Sequence, residues 1–200
     1  INKISTDECL EAIRECVSKI KSFLDSSEIK LFIFTANSCY VIDKMNGASG
    51  RLIWKDFIYI NLYPNKNWKK FLRASFAHEI AHNLQKGYSY NMTIGQALIF
   101  EGLSEHFQEY FLGEVKNPWA HALKKEKALE LFKQMSNILN SEYLPNYLEV
   151  FYGIGKYPPW AGYTIGYYLA EAYIKNKESD WESLFSTDPN ILLKESTKLF

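Results

Sequence analysis

Residues 75–85 read SFAHEIAHNLQ and place two histidines four positions apart, with a glutamate directly after the first. On an α-helix, positions i and i+4 lie about one turn apart on the same face, so His78 and His82 can present two imidazole nitrogens to a single ion. Glu79 then projects beside that face, where it can reach a water molecule at the metal. This is the H-E-x-x-H pattern, in which the glutamate is the general base of a zinc-dependent hydrolysis. A helix with two unliganded histidines is the competing interpretation.

A catalytic zinc site needs a third protein ligand. This ligand must come from another element, because the two histidines already occupy the side of the first helix that would face the metal. Glu101 in FEGLSEHFQEY follows His82 with 18 intervening residues, which is enough for a helix end, a short turn and two turns of an antiparallel helix. We therefore predict Glu101 as the third ligand. Glu105, one turn further on, either accepts a hydrogen bond from the free ring nitrogen of a ligand histidine or is a solvated helix glutamate, and both interpretations stay open.

Two further histidines are rival ligands. His106 lies five positions after Glu101 and therefore points away from the helix face that Glu101 would present to the first helix. His121 lies in a separate, charged segment that predicts another helix. We expect both to be surface or packing histidines rather than metal ligands.

The rest of the chain predicts an α+β fold, in which a small, mostly antiparallel sheet follows an amphipathic helix and precedes a largely helical remainder. The runs IKLFIFTAN, YVID and DFIYINLYP predict strands, and MNGASG predicts a turn. Helices are predicted for STDECLEAIRECVSKIKSFL, NWKKFLRASFAHEIAHNLQ, TIGQALIFEGLSEHFQEYFL, WAHALKKEKALELFKQM, PPWAGYTIGYYLAEAYIKN, DWESLF and DPNILLKESTKLF. Their boundary signals are the capping-box pairs Ser5 with Glu8 and Thr93 with Gln96, the stop residues Gly87 and Gly113, and Asp188 with Pro189.

Composition predicts one globular domain over residues 1–200, which is long enough to bury its own core and can be a piece of a longer chain. Lys plus Arg and Asp plus Glu both number 23, so the chain has no net positive charge that would attract nucleic acid. We therefore expect no nucleic-acid partner. No apolar run approaches the 18 residues that a membrane-spanning helix needs, so we expect no transmembrane segment in this sequence.

The three cysteines show no paired spacing. Cys9 and Cys16 lie seven positions apart on a predicted helix, about 10 Å along its axis, which is too far for a disulfide. Cys39 can pair with either in an oxidised fold. The pattern slightly favours a reducing compartment such as the cytoplasm, and an extracytoplasmic location fits if an N-terminal segment precedes Ile1.

With these residues identified, the sequence resembles a known group of enzymes. HEIAH followed after 18 residues by the glutamate of FEGLSEHF looks like the gluzincin pattern of zinc peptidases, including the aminopeptidases of the thermolysin-like superfamily. More narrowly, four blocks resemble the YjaZ-like family of predicted zinc-dependent proteases in bacteria: MNGASGRLIWKDFIYINLYP, FAHEIAHNLQ, FEGLSEHFQEYFLG and PPWAGYTIGYYLAEAYI. The resemblance covers roughly residues 30–176 and implies a zincin-like catalytic domain.

The resemblance implies a zinc ion held by His78, His82 and Glu101, with Glu79 as base and proton shuttle. It also implies that the strand DFIYINL lies beside the cleft and can pair with an extended peptide or protein substrate. The exopeptidase signature G-x-M-E-N is absent, with NGASG in its region, so recognition of a free N-terminus is not implied.

Gluzincins commonly add a donor that stabilises the tetrahedral oxyanion, and the block AGYTIGYY offers two tyrosines for this role. Tyr163 and Tyr167 lie one turn apart on one helix face, and Tyr163 is favoured. The alternative is a core aromatic helix in which Gly162 and Gly166 only allow close packing.

Two functions stay open. One is peptide-bond hydrolysis by a metal-activated water, and the other is a non-catalytic metal-binding sensor or interaction domain that keeps the site. The fourth coordination position separates them, because water or an open cleft there supports hydrolysis and a fourth protein ligand indicates a structural site. The sequence sets neither the oligomeric state, nor the substrate, nor the choice between internal and terminal cleavage.

Overall fold

The computed structural model describes residues 4–24, 28–113, 115–177 and 179–200. Within these ranges the chain forms helices and three strands in the order α1 (Thr6–Ile20), β1 (Lys30–Thr35), α2 (Cys39–Lys44), β2 (Ala48–Trp54), β3 (Phe57–Leu62), α3 (Trp68–Leu84), α4 (Ile94–Leu112), α5 (Lys125–Gln134), α6 (Leu144–Tyr152), α7 (Ala161–Lys177), α8 (Trp181–Ser186) and α9 (Pro189–Leu199). The fold is mixed, with a small sheet and a mostly helical remainder, as predicted. In these ranges no helix combines the length and apolar character that crossing a bilayer requires.

The sheet has the strand order β1-β3-β2, so β3 is the central strand. β1 pairs with β3 in parallel, with Lys30 opposite Phe57, and β2 pairs with β3 antiparallel, with Ala48 opposite Leu62. The expected mostly antiparallel sheet is therefore wrong, since one of its two pairings is parallel. The expectation that DFIYINL pairs with a substrate also fails, because both edges of β3 are already hydrogen-bonded to neighbouring strands.

Two local assignments differ from the prediction between β1 and β3. The run YVID lies in helix α2 rather than in a strand, because a short apolar run fits a buried helix as well as a strand. The turn predicted at MNGASG is shorter than expected. Asn46 and Gly47 make the turn with positive φ angles of 57° and 82°, and the chain is already extended from Ala48. The residues ASG therefore begin β2.

Several helix boundaries follow the predicted capping signals. The side chain of Ser5 caps α1 and Glu8 bonds back, Gln96 and Thr93 exchange the same pair of bonds before α4, and Asp188 accepts from Asn190 at the start of α9. One boundary is wrong: α5 begins at Lys125, and Trp119 lies in a turn before it. Contacts made by Trp119 with other elements, described below, hold that segment out of the helix.

The described chain divides into two compact units. The first contains Ile1–Leu84 and Phe107–Lys116. Its core lies between one face of the sheet, with Ile58 and Ile60 fully buried, and helices α1 and α3. An ion pair of 2.6 Å between Arg73 of α3 and Glu15 of α1 adds to this contact at the surface.

The second unit contains Gln85–His106 and Asn117–Phe200, and it is built around α7. Helices α4 and α7 touch backbone to backbone. A Cβ atom at Gly102 would collide with the carbonyl of Gly166, and one at Gly166 would collide with the carbonyl oxygen of Leu98. Glycine at both positions therefore allows an approach that any larger residue would block. The prediction of a single domain over residues 1–200 stays a prediction.

The cysteines Cys9, Cys16 and Cys39 are free thiols in this structure. Cys16 is buried in α1, where its sulfur contacts the carbonyl of Arg73 at 3.6 Å. Burial raises the pKa of the Cys9 thiol, which disfavours its reactive thiolate form. In the described ranges, no cysteine sulfur belongs to the group of ligand atoms that includes His78 and His82.

Candidate metal centre

Helix α3 carries the two motif histidines on one buried face. The ring centroids of His78 and His82 lie 4.7 Å apart with the rings nearly perpendicular, and the residues are only 9% and 3% exposed. The helical repeat produces this arrangement, because residues four apart lie one above the other. Both imidazoles are withdrawn from water. The competing interpretation, a helix with two unliganded histidines, is not decided by this burial.

Glu101 joins the histidine pair. One ligand atom from each of His78, His82 and Glu101 lies within 4.8 Å of the other two. Within the described ranges, these three residues form the group of His, Cys, Asp and Glu side chains that could hold a metal ion. Glu101 is 7% exposed. His106 and His121, the rival ligands of the sequence analysis, do not belong to the group.

The donor set fits zinc. Two imidazole nitrogens and one carboxylate are the ligands of a catalytic zinc site, in which the ion keeps one position open for water or substrate. Magnesium and calcium prefer oxygen ligands only, so the two imidazoles argue against them. Burial of the three side chains also fits, because a bound cation compensates the cost of withdrawing a carboxylate from water.

Glu79 lies outside the group of three ligands, although it follows His78 directly. It is 5% exposed and packs against strand β2. A Cβ atom added at Gly50 would lie 2.5 Å from Oε1 and 2.6 Å from Cγ of Glu79. The missing side chain at Gly50 therefore creates the space that the Glu79 carboxylate occupies. A glycine inside a strand is a sequence signal for close approach, but the predicted turn at MNGASG concealed it.

Glu105 is fully buried, so its interpretation as a solvated helix glutamate is wrong. Its Oε2 accepts a hydrogen bond of 2.9 Å from the side-chain amide of Asn117, and its Oε1 accepts one of 2.6 Å from the indole N–H of Trp119. Neither donor could be linked to Glu105 from the sequence. They lie in the NPWA segment, where Asn117 precedes the predicted helix and Trp119 is assigned to its first turn, so no pattern indicates a contact with α4.

Tyr163 of α7 is half-buried among aromatic side chains. Its ring packs edge-on against Phe151 at 5.1 Å and against Trp119 at 6.5 Å. Burial raises the pKa of the Tyr163 hydroxyl well above its usual value, and the charges of Tyr147 and Glu101 and a side-chain hydrogen bond with Tyr152 raise it further. The phenol therefore keeps its proton at neutral pH and stays a hydrogen-bond donor.

Tyr167, one turn further along α7, lies among different residues. Its ring stacks on His106 with the centroids 4.1 Å apart and meets the edge of His121 at 4.5 Å, and its carbonyl oxygen lies 2.9 Å from Nε2 of His106. The two rival histidines thus pack around Tyr167, as expected for packing histidines. The Glu101 carboxylate is among the groups that raise the pKa of the Tyr163 hydroxyl.

We predict that Gly50→Ala displaces the Glu79 carboxylate and leaves the metal ligands in place. Because the displaced group is the end of a flexible side chain, the fold should survive, and kcat on a cleavable peptide should fall on the order of 100-fold at unchanged zinc content. Ser49→Ala, the neighbouring strand position whose side chain points to the other face, is the matched control and should keep its activity. Full activity of Gly50→Ala would contradict the role given to this contact.

Comparison with known proteins gives one match. No curated protein and no solved structure matches this chain. Residues 9–194 match the family DUF2268, which is described as a predicted Zn-dependent protease. The matched range includes the histidine pair, Glu101 and the tyrosine block of α7. The resemblance to the YjaZ-like proteases is thereby confirmed, and the chain belongs to the DUF2268 family of predicted Zn-dependent proteases.

Proposed function

We propose that this protein is a zinc-dependent peptidase in which His78, His82 and Glu101 hold the metal and Glu79 is the general base. The observation that carries the proposal is the convergence of two buried imidazoles and one buried carboxylate, with atoms within 4.8 Å, beside a glutamate that is not part of the ligand set. Membership of a family described as predicted Zn-dependent proteases supports it at the level of the protein class.

A bound zinc ion supplies Lewis acidity, which lowers the pKa of water toward neutrality and polarises a carbonyl group. The carboxylate of Glu79 accepts the proton of the attacking water and later delivers it to the leaving amine. Its contact with Gly50 limits the orientations of the carboxylate, so Glu79 has few side-chain rotamers available and loses little conformational freedom when it acts as the base. No covalent intermediate with the protein is needed.

Tyr163 is proposed as the donor that stabilises the oxyanion formed at the scissile carbonyl. A neutral phenol is a suitable donor, and the raised pKa keeps Tyr163 neutral. The contribution of Glu101 to the raised pKa of Tyr163 supports a position of the phenol near the proposed ligand set. Tyr167 is less suited, because its ring is enclosed by His106 and His121.

Strand β2 is proposed to bind the backbone of an extended peptide or protein substrate, in place of β3. β2 pairs with β3 on one side, and no other strand of the described ranges pairs with its second side. Its Gly50 contacts Glu79, so a peptide lying along this strand would pass the general base. Main-chain hydrogen bonds to an edge strand give affinity without fixing the side-chain sequence of the substrate.

We predict that Glu79→Gln keeps about one zinc per chain and loses peptide hydrolysis. The amide has nearly the shape of the carboxylate but cannot accept the proton, and loss of a general base costs roughly 100- to 10,000-fold in rate. Metal analysis and cleavage of a responsive peptide measure the two quantities separately. Glu130→Gln on the exposed face of α5 is the matched control and should behave as wild type. A Glu79→Gln enzyme that cleaves at full rate would refute the mechanism.

We predict that Tyr163→Phe lowers kcat by roughly 100- to 1,000-fold with little change in KM, because the lost hydrogen bond forms only to the oxyanion of the transition state. Tyr167→Phe keeps the ring contacts with both histidines and should stay close to wild type. Steady-state kinetics on one peptide compare the two variants. The opposite ranking would transfer the role to Tyr167.

A zinc-loaded wild-type protein that cleaves no peptide in a mixed-sequence library would favour the alternative function, a metal-binding sensor or interaction domain. The expected lack of a nucleic-acid partner and the slight preference for the cytoplasm stay predictions.

A further inference from the structure

The NPWA segment supplies two side-chain donors to one buried carboxylate. Asn117 and Trp119 each donate to a different oxygen of Glu105, at 2.9 and 2.6 Å. A single donor would leave the carboxylate free to rotate about its last bond, whereas two donors on two oxygens fix its plane. Each oxygen has a second lone pair that these bonds do not use. The pair therefore determines where Glu105 can accept further hydrogen bonds.

The same segment is anchored to α7. The carbonyl of Trp119 accepts a hydrogen bond of 2.9 Å from the hydroxyl of Thr164, which is fully buried, and the indole ring meets the ring of Tyr163. The amide of Ala120 bonds to the carbonyl of Asn117 at 3.1 Å and closes the turn. Trp119 thus connects Glu105 of α4 with the part of α7 that carries Tyr163.

Glu105 lies one helical turn after Glu101, so both carboxylates lie on the same side of α4. The backbones of α4 and α7 are in contact at Gly102 and Gly166, directly beside these residues. Small rotations of α4 would therefore move the Glu101 carboxylate. The two hydrogen bonds that Glu105 accepts from Asn117 and Trp119 resist such rotations.

We propose that Asn117 and Trp119 are positioning residues of the metal centre, which act through Glu105 to hold Glu101 in the orientation that binds zinc. This inference rests on the proposed function, because it assigns Glu101 to the metal. Residues that orient metal ligands typically change metal affinity 10- to 100-fold when they are removed. The pair is therefore expected to control zinc affinity as well as turnover.

The test compares Trp119→Phe and Asn117→Ser with wild type. Trp119→Phe removes the indole donor and keeps an aromatic ring against Tyr163, and Asn117→Ser removes the amide that reaches Glu105. Trp181→Phe in helix α8, where the ring packs against Phe185 at 5.6 Å and lies outside the proposed ligand and substrate elements, is the matched control. Three quantities are measured on each protein: the zinc dissociation constant by chelator competition, the visible spectrum of the Co²⁺-substituted protein, and the melting temperature of the metal-free form.

Both variants should bind zinc 10- to 100-fold more weakly and should show a changed Co²⁺ spectrum, which reports the geometry of the ligands. Because both act on one carboxylate, the double variant should lose less than the product of the two single effects. The control should match wild type in all three measurements.

Zinc affinity and Co²⁺ spectra equal to wild type in both variants would overturn the inference, even if the metal-free proteins melt at lower temperature, because the pair would then be structural only. If one variant does not fold, the other decides the question by the same measurements. A wild-type protein that binds no zinc would refute the proposed function itself, and the inference with it, so the two failures are distinguished by the wild-type arm.

Discussion

The burial of a carboxylate together with two imidazoles is the constraint on which the rest of the structure depends. Withdrawing a carboxylate from water costs several kcal/mol unless an opposite charge or several donors compensate it. A zinc ion held by His78, His82 and Glu101, as we propose, would supply that compensation, and it would require the convergence of ligand atoms that the structure shows. Metal binding and stability would then be linked, because the ion would stabilise the folded state that preforms its site.

The surroundings of the ligands show how the fold holds them. In one unit, Gly50 of β2 leaves room for the Glu79 carboxylate, so the proposed base is positioned by a strand as well as by its own helix. In the other unit, the contact of α4 with α7 at Gly102 and Gly166 and the two donors to Glu105 restrict the helix that carries Glu101. Both sets of contacts depend on residues that would not themselves bind the metal or take part in proton transfer.

The ligand group could be predicted from the sequence, because it depends on helical spacing and on one short connection. His78 and His82 lie on one face by local geometry, and the 18 residues before Glu101 limited where the returning helix could begin. The remainder depended on tertiary contacts. YVID became a helix, the strand β2 was concealed in a glycine-containing turn signal, and β3 proved to be central rather than at the edge. The burial of Glu105 depends on Asn117 and Trp119, which no periodic pattern linked to it.

The most direct test of the account is metal analysis of the protein purified without chelator, together with His82→Ala, Glu101→Gln and His121→Ala. The account predicts about one zinc per chain in the wild type and in His121→Ala, because His121 lies outside the ligand group. It predicts loss of most of the zinc in His82→Ala and in Glu101→Gln, with the fold retained by circular dichroism. A wild type without zinc, or a Glu101→Gln protein that keeps it at full affinity, would contradict the three-ligand site.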